Sequence, residues 1–259
     1  MKYYALVKIL PGLLAVAVLL SVCGTPALAE KARRSSQKSG VIVPDTDLID
    51  TPTAGVLDYY GLLVRTRAFS NGGVLLGVGF GVLPRLNLGA TISAENLIGT
   101  SNDVRFVRPE IQAKYRLYDG ARYIPALAIG YDGQGYYYDR GESKYLEEGR
   151  GLYLAGSQEI LFPGLFFHPG VNVSDFEHNG VYMFAGLNYT VENSFSLMLE
   201  WDAIQRIDES RFNAGGRFYV SPFFHIDLAV REIGKNTVFS NGQPDKPERI
   251  VQLRYNTSF

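Results

Sequence analysis

Cysteine is almost missing from this chain of 259 residues: the single thiol is Cys23, close to the amino terminus. A lone cysteine excludes an internal disulfide, and if the leader around it is cleaved, thiolate nucleophiles and thiolate metal sites go with it. Histidine is scarce as well. His168, His178 and His225 do not fall at metal-ligand spacings, and the group Asp175, Glu177 and His178 reads as a solvated loop, so neither a metal nor a cofactor is expected. Charge of one sign is also lacking: the net charge of −1 points to no nucleic-acid partner. Apolar runs are short. The one from Leu13 to Val22 cannot comfortably cross a bilayer as a helix, and no long window carries a helical period.

That apolar run follows Lys2 and Lys8 and precedes Ala27-Leu28-Ala29, the order of a secretory signal peptide cleaved after Ala29. The alternative is a lipoprotein retained through Cys23. Against it, Val22 is too bulky for the position where a lipoprotein cleavage box takes a small residue. Cleavage removes two lysines and no acid, leaving 23 basic against 26 acidic side chains. Residues 30–54 are polar, basic at first and contain two prolines, which predicts a flexible periplasmic arm with a short ordered stretch at Val41 to Val43.

From residue 55 onward the chain has period two. Val74, Leu76, Val78, Phe80 and Val82 alternate with Leu75, Gly77, Gly79 and Gly81, and Phe195, Leu197, Leu199 and Trp201 alternate with Ser196, Met198, Glu200 and Asp202. Such runs fall near residues 56–69, 73–83, 85–96, 104–118, 121–135, 150–161, 164–175, 180–191, 194–203, 210–221, 223–233 and 248–259. Most are about the length that crosses a bilayer at a tilt. Connections at 83–84, 119–120, 162–164, 192–193 and 221–222 read as tight, and those at 97–103, 136–149, 204–209 and 234–247 as long and polar. The expectation is therefore an all-β fold: a transmembrane antiparallel up-and-down β-barrel of about 12 strands over residues 55–259, in the cell outer membrane. Aromatic residues near the strand ends, among them Tyr118, Phe162, Tyr219 and Phe223 by the tight turns and Tyr131 and Tyr136 to Tyr138 by the loops, fit interfacial belts. A secreted sandwich would also alternate, but would not need such long apolar faces.

The chain ends VQLRYNTSF, an alternating strand with a terminal aromatic. It resembles the carboxy-terminal signal of bacterial outer-membrane barrels, which implies that Val251, Leu253, Tyr255 and Phe259 are read by the barrel-assembly machinery. A second stretch, DLIDTPTAGVLD at residues 47–58, with the hairpin GVGFGVLPRLNLGATI at 77–92, resembles the YjbH-type family of outer-membrane barrels associated with exopolysaccharide production and secretion. The resemblance covers about 45 residues and implies a polysaccharide or export partner. Read from its residues alone, Thr51-Pro52-Thr53 is an extended stop before a strand.

The inward faces carry the remaining chemistry: Glu95, Glu110, Lys114, Arg116, Glu200, Asp202, Arg211, Arg217, His225, Asp227, Arg231 and Arg254. Two readings stand. Either these charges neutralise one another and fill the interior, or they line a narrow passage for small polar or charged solutes, in which a reversal such as Arg217→Glu lowers conductance. No catalytic residue is assigned. A lipid-modifying enzyme of the phospholipase or lipid A deacylase type is the alternative, but the His-x-Ser pair of the outer-membrane phospholipase has no equivalent at His225-Ile226-Asp227 or His168-Pro169-Gly170. The expected function is thus a non-enzymatic barrel, a narrow channel or accessory in exopolysaccharide export or the envelope. Its expected surroundings are outer-membrane lipid and lipopolysaccharide.

Overall fold

A computed structural model describes residues 45–99, 104–174, 180–192, 194–205, 210–239, 241–242 and 244–257. The expected signal peptide, residues 30–44 of the arm, the loop residues Asp175, Glu177 and His178, and Phe259 lie outside the described residues.

Twelve strands close into one antiparallel barrel. They are β1 (Leu62–Phe69), β2 (Gly73–Leu83), β3 (Leu86–Glu95), β4 (Glu110–Tyr118), β5 (Ala126–Asp132), β6 (Gly151–Glu159), β7 (Leu165–Val173), β8 (Val181–Val191), β9 (Phe195–Ile204), β10 (Arg211–Tyr219), β11 (Phe224–Arg231) and β12 (Glu248–Thr257). Each pairs with its neighbours in sequence. The ring closes where β1 pairs with both β2 and β12, with Arg65 opposite Gly77 on one side and Arg254 on the other. Closure leaves no sheet edge whose amides lipid would have to satisfy.

The distribution of exposure is inverted relative to a soluble sheet. On β9, Leu197 and Leu199 are 53% and 56% exposed, whereas Ser196, Glu200 and Asp202 on the other face of the same strand are at most 2% exposed. The same inversion recurs on β12, where Val251, Leu253 and Tyr255 face out and Gln252 and Arg254 are buried. An apolar band this continuous is unstable in water and suited to hydrocarbon. The protein is an outer-membrane β-barrel, and the sandwich alternative is set aside.

Several boundaries differ from the periodic reading. Residues 56–61 do not extend β1, because Gly61 and Tyr60 hydrogen-bond to Asp58 and Gly81 and turn the chain inward. The stretches 136–149 and 234–247, expected as polar loops, contain hairpins pairing Tyr136–Asp139 with Lys144–Glu147 and Thr237–Val238 with Pro244–Asp245. The turn expected at 119–120 runs from 119 to 125, closed by a bridge between Ala121 and Ile124. Tyr136 and Tyr219, expected in interfacial belts, point into the lumen, where their hydroxyls contact Asp50 and Asp45.

The largest difference concerns residues 45–54, expected at the end of an arm outside the barrel. Together with residues 55–58 they form a hairpin inside it, entering and leaving at the end where the tight turns lie. Leu48, Thr51 and Ala54 are wholly buried there.

Candidate functional site

The site is this inserted hairpin and the wall that holds it. Its own geometry is set locally. Pro52 keeps Thr51 extended, the Leu48 amide donates to the Thr51 carbonyl at 2.9 Å, and the Thr53 amide donates back to Thr46 at 3.1 Å. The Thr53 hydroxyl bonds the Asp45 carbonyl and accepts the Gly55 amide at 2.9 Å, which fixes the start and finish of the hairpin against each other.

At the tip, three successive amides converge on one carboxylate. The N–H groups of Ile49, Asp50 and Thr51 donate to Glu200 at 2.8, 3.0 and 2.8 Å, and Asn213 Nδ2 adds a fourth bond at 2.8 Å. Consecutive amides arranged this way form an anion-binding concavity. Here the anion is a wall side chain, and the concavity belongs to the inserted segment.

The carbonyls and carboxylates of the hairpin meet arginines and a lysine from around the wall. Arg217 grips Asp227 in a bidentate pair at 2.7 and 2.9 Å, donates to the Leu48 carbonyl at 3.1 Å and pairs with Asp45. Arg254 shares Asp227 at 2.9 Å, donates to Leu48 at 2.7 Å and pairs with Asp47, which Arg65 also holds at 3.1 Å. Arg67 holds Asp50 at 2.7 Å. Arg231 holds it as well, while lying 3.9 Å from the centre of the Tyr136 ring and binding Glu248 at 2.7 Å. Lys114 donates to the carbonyls of Thr46, Thr53 and Gly55, and Arg116 to that of Ala54 at 2.8 Å. Burial alone would raise the Asp47 carboxyl, but Arg254, then Arg65, Lys114 and Arg217, outweigh it and hold it at about 2. Burial opposes the charge of Asp50 too, and Arg231 and Arg67 overcome it to hold that carboxyl well below the ordinary range.

The apolar residues of the hairpin have a socket. Leu48 and Ile49 pack on Met198, Ala229 and Ile250, with Phe69 at the margin. Met198 pairs with Gly215, Gly215 with Ala229 and Ala229 with Ile250, so the socket is one row of small or apolar residues on an otherwise polar inner face. Two glycines make room for the inserted segment. A Cβ at Gly186 would lie 2.7 Å from Leu48 Cδ1, and one at Gly81 would fall on the Asp58 carbonyl.

Of the residues expected to face the lumen, Lys114, Arg116, Glu200, Arg217, Asp227, Arg231 and Arg254 all converge on the hairpin or on its direct partners. Asp202 and Arg211 pair with each other at 3.4 Å, and Asp202 takes Arg150, which also reaches the Asp50 carbonyl at 3.1 Å. His225 is buried beside Tyr219, with its Nε2 lacking a hydrogen-bond partner. Glu110 pairs with Arg108 at the outer end of β4, away from the hairpin, and Glu95 stands opposite Arg105. On the lipid face, Val251, Leu253 and Tyr255 form the expected row. The sequence reading missed Arg65, Arg67, Arg150, Asp45, Asp47 and Asp50. It also missed a row of side chains across three strands: Ser157 Oγ lies 2.7 Å from His168 Nδ1, and His168 Nε2 lies 2.8 Å from Asn188 Oδ1. That order of hydroxyl, base and orienting amide is the arrangement of a nucleophile. Yet the Ala54 amide donates to the same Ser157 oxygen at 2.8 Å, so the hairpin occupies the approach and the row supports it.

Beside and beyond the hairpin lies a cavity of about 580 Å³, lined by Arg65, Lys114, Asp132, Arg150, Asp202 and Arg231 among others. Its outer margin is the mouth between the Tyr136–Glu147 and Thr237–Asp245 hairpins. Tyr137 and Phe239 touch there with ring centres 5.0 Å apart. Burial and the Glu147 carboxylate beside it push the Glu232 carboxyl up to about 10, while Arg211 and Arg231 keep Glu147 low against its own burial.

No protein-family model and no curated protein matches this chain. Among solved structures it is similar to the KdgM porin, with 12% identity and a TM-score of 0.50, over 77% of this chain and 99% of the porin. The NanC porin aligns over 76% of this chain and all of its own length, with 10% identity and a TM-score of 0.43. An outer-membrane channel from Pseudomonas putida F1 covers 84% of this chain, with 13% identity and a TM-score of 0.43. At these identities the likeness concerns the fold: the chain has the porin-like barrel architecture of the outer membrane.

Proposed function

We propose that the protein is a gated outer-membrane conduit for acidic polysaccharide, closed by its own residues 45–58. The observation that carries this reading is the pairing of five wall arginines, Arg65, Arg67, Arg217, Arg231 and Arg254, with the hairpin carboxylates Asp45, Asp47 and Asp50. Among the described residues, Arg65 and Arg67 have no other carboxylate within ion-pair distance. When the hairpin leaves, these guanidiniums face an open passage and select for the carboxylates of a uronic-acid chain, whose charges replace those of the hairpin. The acidic hairpin stands in for the solute. It enters from the tight-turn end, the periplasmic side of such barrels, where an export partner can pull on the residues preceding it. The resemblance of residues 47–58 to the polysaccharide-associated barrels agrees with this reading.

The test is conductance of the refolded protein in planar bilayers. The intact barrel is expected to be nearly silent, and deletion of residues 45–54 to give steady, anion-selective current that an oligomer of uronic acids blocks. A silent deletion variant that is still folded, or a cation-selective one, removes the proposal. The outward row of β12 belongs to the same reading as an assembly signal: deleting Phe259 is expected to lower the amount of protein in the outer-membrane fraction severalfold, and unchanged insertion would count against it.

A further inference from the structure

We propose that Glu147, Glu232 and Asp245 bind a calcium ion that ties together the two hairpins at the outer mouth of the barrel. One carboxylate oxygen from each residue lies within 4.8 Å of the others. The three residues come from separate places: the end of the Lys144–Glu147 strand, the position just beyond β11, and the end of the Pro244–Asp245 strand. All are buried, at 8%, 1% and 8% exposure.

Proximity of acids alone would mean little, but the unused oxygens add an independent point. Glu147 Oε1, Glu232 Oε2 and Asp245 Oδ1 are each shut off from solvent, and no amide, guanidinium or alcohol donor reaches them. Their sister oxygens are held from behind. Arg211 and Arg231 bind Glu147 Oε2 at 2.8 and 3.1 Å, Arg211 lies 3.9 Å from Glu232 Oε1, and the Thr237 hydroxyl bonds Asp245 Oδ2 at 2.7 Å. The acids are thus oriented on one side; on the other, the proton that Glu232 keeps is shared with Glu147, and Asp245 Oδ1 has no donor. A buried carboxylate oxygen without a donor is costly, and a cation that accepts several such oxygens at once removes the cost.

The donor set names the ion class. Three carboxylates with neither imidazole nor thiolate suit a hard cation. Calcium tolerates six to eight oxygens in irregular geometry, while magnesium demands a near-ideal octahedron and keeps its waters. Ligands drawn from three separate connections favour calcium, and all three residues line the cavity. Bound there, the ion would brace the contact already made by Tyr137 and Phe239 and fix the width of the mouth. Its bracing role does not depend on what passes through the barrel.

The experiment is calcium titration by calorimetry on the full-length protein refolded in detergent and stripped with a chelator, alongside Glu232→Gln and Asp245→Asn. One saturable site with a Kd on the order of 10⁻⁴ to 10⁻³ M is expected, the range of extracellular calcium modules. Each variant should weaken it at least tenfold, and calcium should raise the unfolding temperature of the wild type but not of the variants. Asp245→Asn removes a buried charge, Glu232→Gln replaces an acid that keeps its proton without calcium, and retention of heat-modifiable gel mobility shows that both variants are folded. Three results would overturn the assignment: no saturable calcium binding by the folded wild type up to about 10 mM, binding unchanged in both variants, or tighter binding of magnesium than calcium.

Discussion

Replacing Arg231 by methionine is expected to destabilise the folded barrel by about 3–5 kcal/mol, the range for breaking a buried ion pair from one side. The guanidinium is 1% exposed and serves Asp50, Glu147 and Glu248 at once, with the Tyr136 ring against its face. Methionine fills much of the same volume, so the loss is electrostatic rather than a cavity. Glu147 keeps Arg211, and Asp50 keeps Arg67. Among the described residues Glu248 keeps one hydrogen bond, from the Ser70 amide at 3.1 Å, so it carries most of the penalty. Denaturant titration of the protein refolded into lipid vesicles measures the effect. Adding Glu248→Gln should recover part of it, with a coupling of about 1–3 kcal/mol, because the stranded charge is then gone. A loss below about 1 kcal/mol in the single variant would mean that water in the cavity already satisfies these carboxylates, and the arginine clamp would not be what holds the lumen together.

The barrel was legible in the sequence because its physics is local: a strand between lipid and a polar lumen must alternate, and the alternation of Leu197, Leu199 and Trp201 with Glu200 and Asp202 needs no knowledge of any distant residue. The inward charges were legible for the same reason. What they bind was not, since Arg217 and Arg254 meet Asp47 and Leu48 across 169 to 207 positions in the chain. Residues 47–54 read equally well as an extended lead-in. Two signals were nevertheless present. Gly77, Gly79 and Gly81 leave one inner face bare where most lumen positions carry long polar side chains, and Met198, Ala229 and Ile250 place apolar groups on faces that should be polar. A wall that is both hollowed and locally greasy has something packed on it. The Ser157, His168 and Asn188 row was illegible for another reason: its spacings of 11 and 20 residues follow from strand register, not from any short motif. The inserted hairpin also reverses an expectation. In an open passage, Arg217→Glu would lower conductance. With Arg217 gripping Asp45 and the Leu48 carbonyl, the same change repels the hairpin, and current should rise.

Glu200→Gln is expected to release the hairpin while leaving the barrel almost as stable as before. The carboxylate accepts from three consecutive hairpin amides and from Asn213, and among the described residues it has no cation within ion-pair distance. A glutamine in its place offers one acceptor oxygen, and its own NH₂ group faces donors. The three hairpin amides share Oε1, so a neutral amide oxygen there weakens three charge-assisted bonds at once, and the NH₂ group also repels the Asp50 amide and Asn213 Nδ2, a cost of about 2–4 kcal/mol. Most of that cost falls on docking rather than on the wall, because the backbone ladders of β8, β9 and β10 do not involve the side chain and its one wall contact is with Asn213. It corresponds to roughly a 30- to 700-fold drop in the docked-to-undocked ratio, since about 1.4 kcal/mol is a factor of ten. Cleavage at the expected signal site leaves no native cysteine, so Ile49→Cys gives a clean reporter: a water-soluble maleimide should label it slowly with Glu200 present and faster by that factor when Glu200→Gln is added to the same background. Single-channel openings should become more frequent in parallel. Labelling and conductance that stay at the wild-type level in a folded Glu200→Gln barrel would show that the arginines alone retain the hairpin. Faster labelling without current would mean that an undocked hairpin still blocks the lumen, which moves the gate from the tip contact at Glu200 to the chain that precedes it.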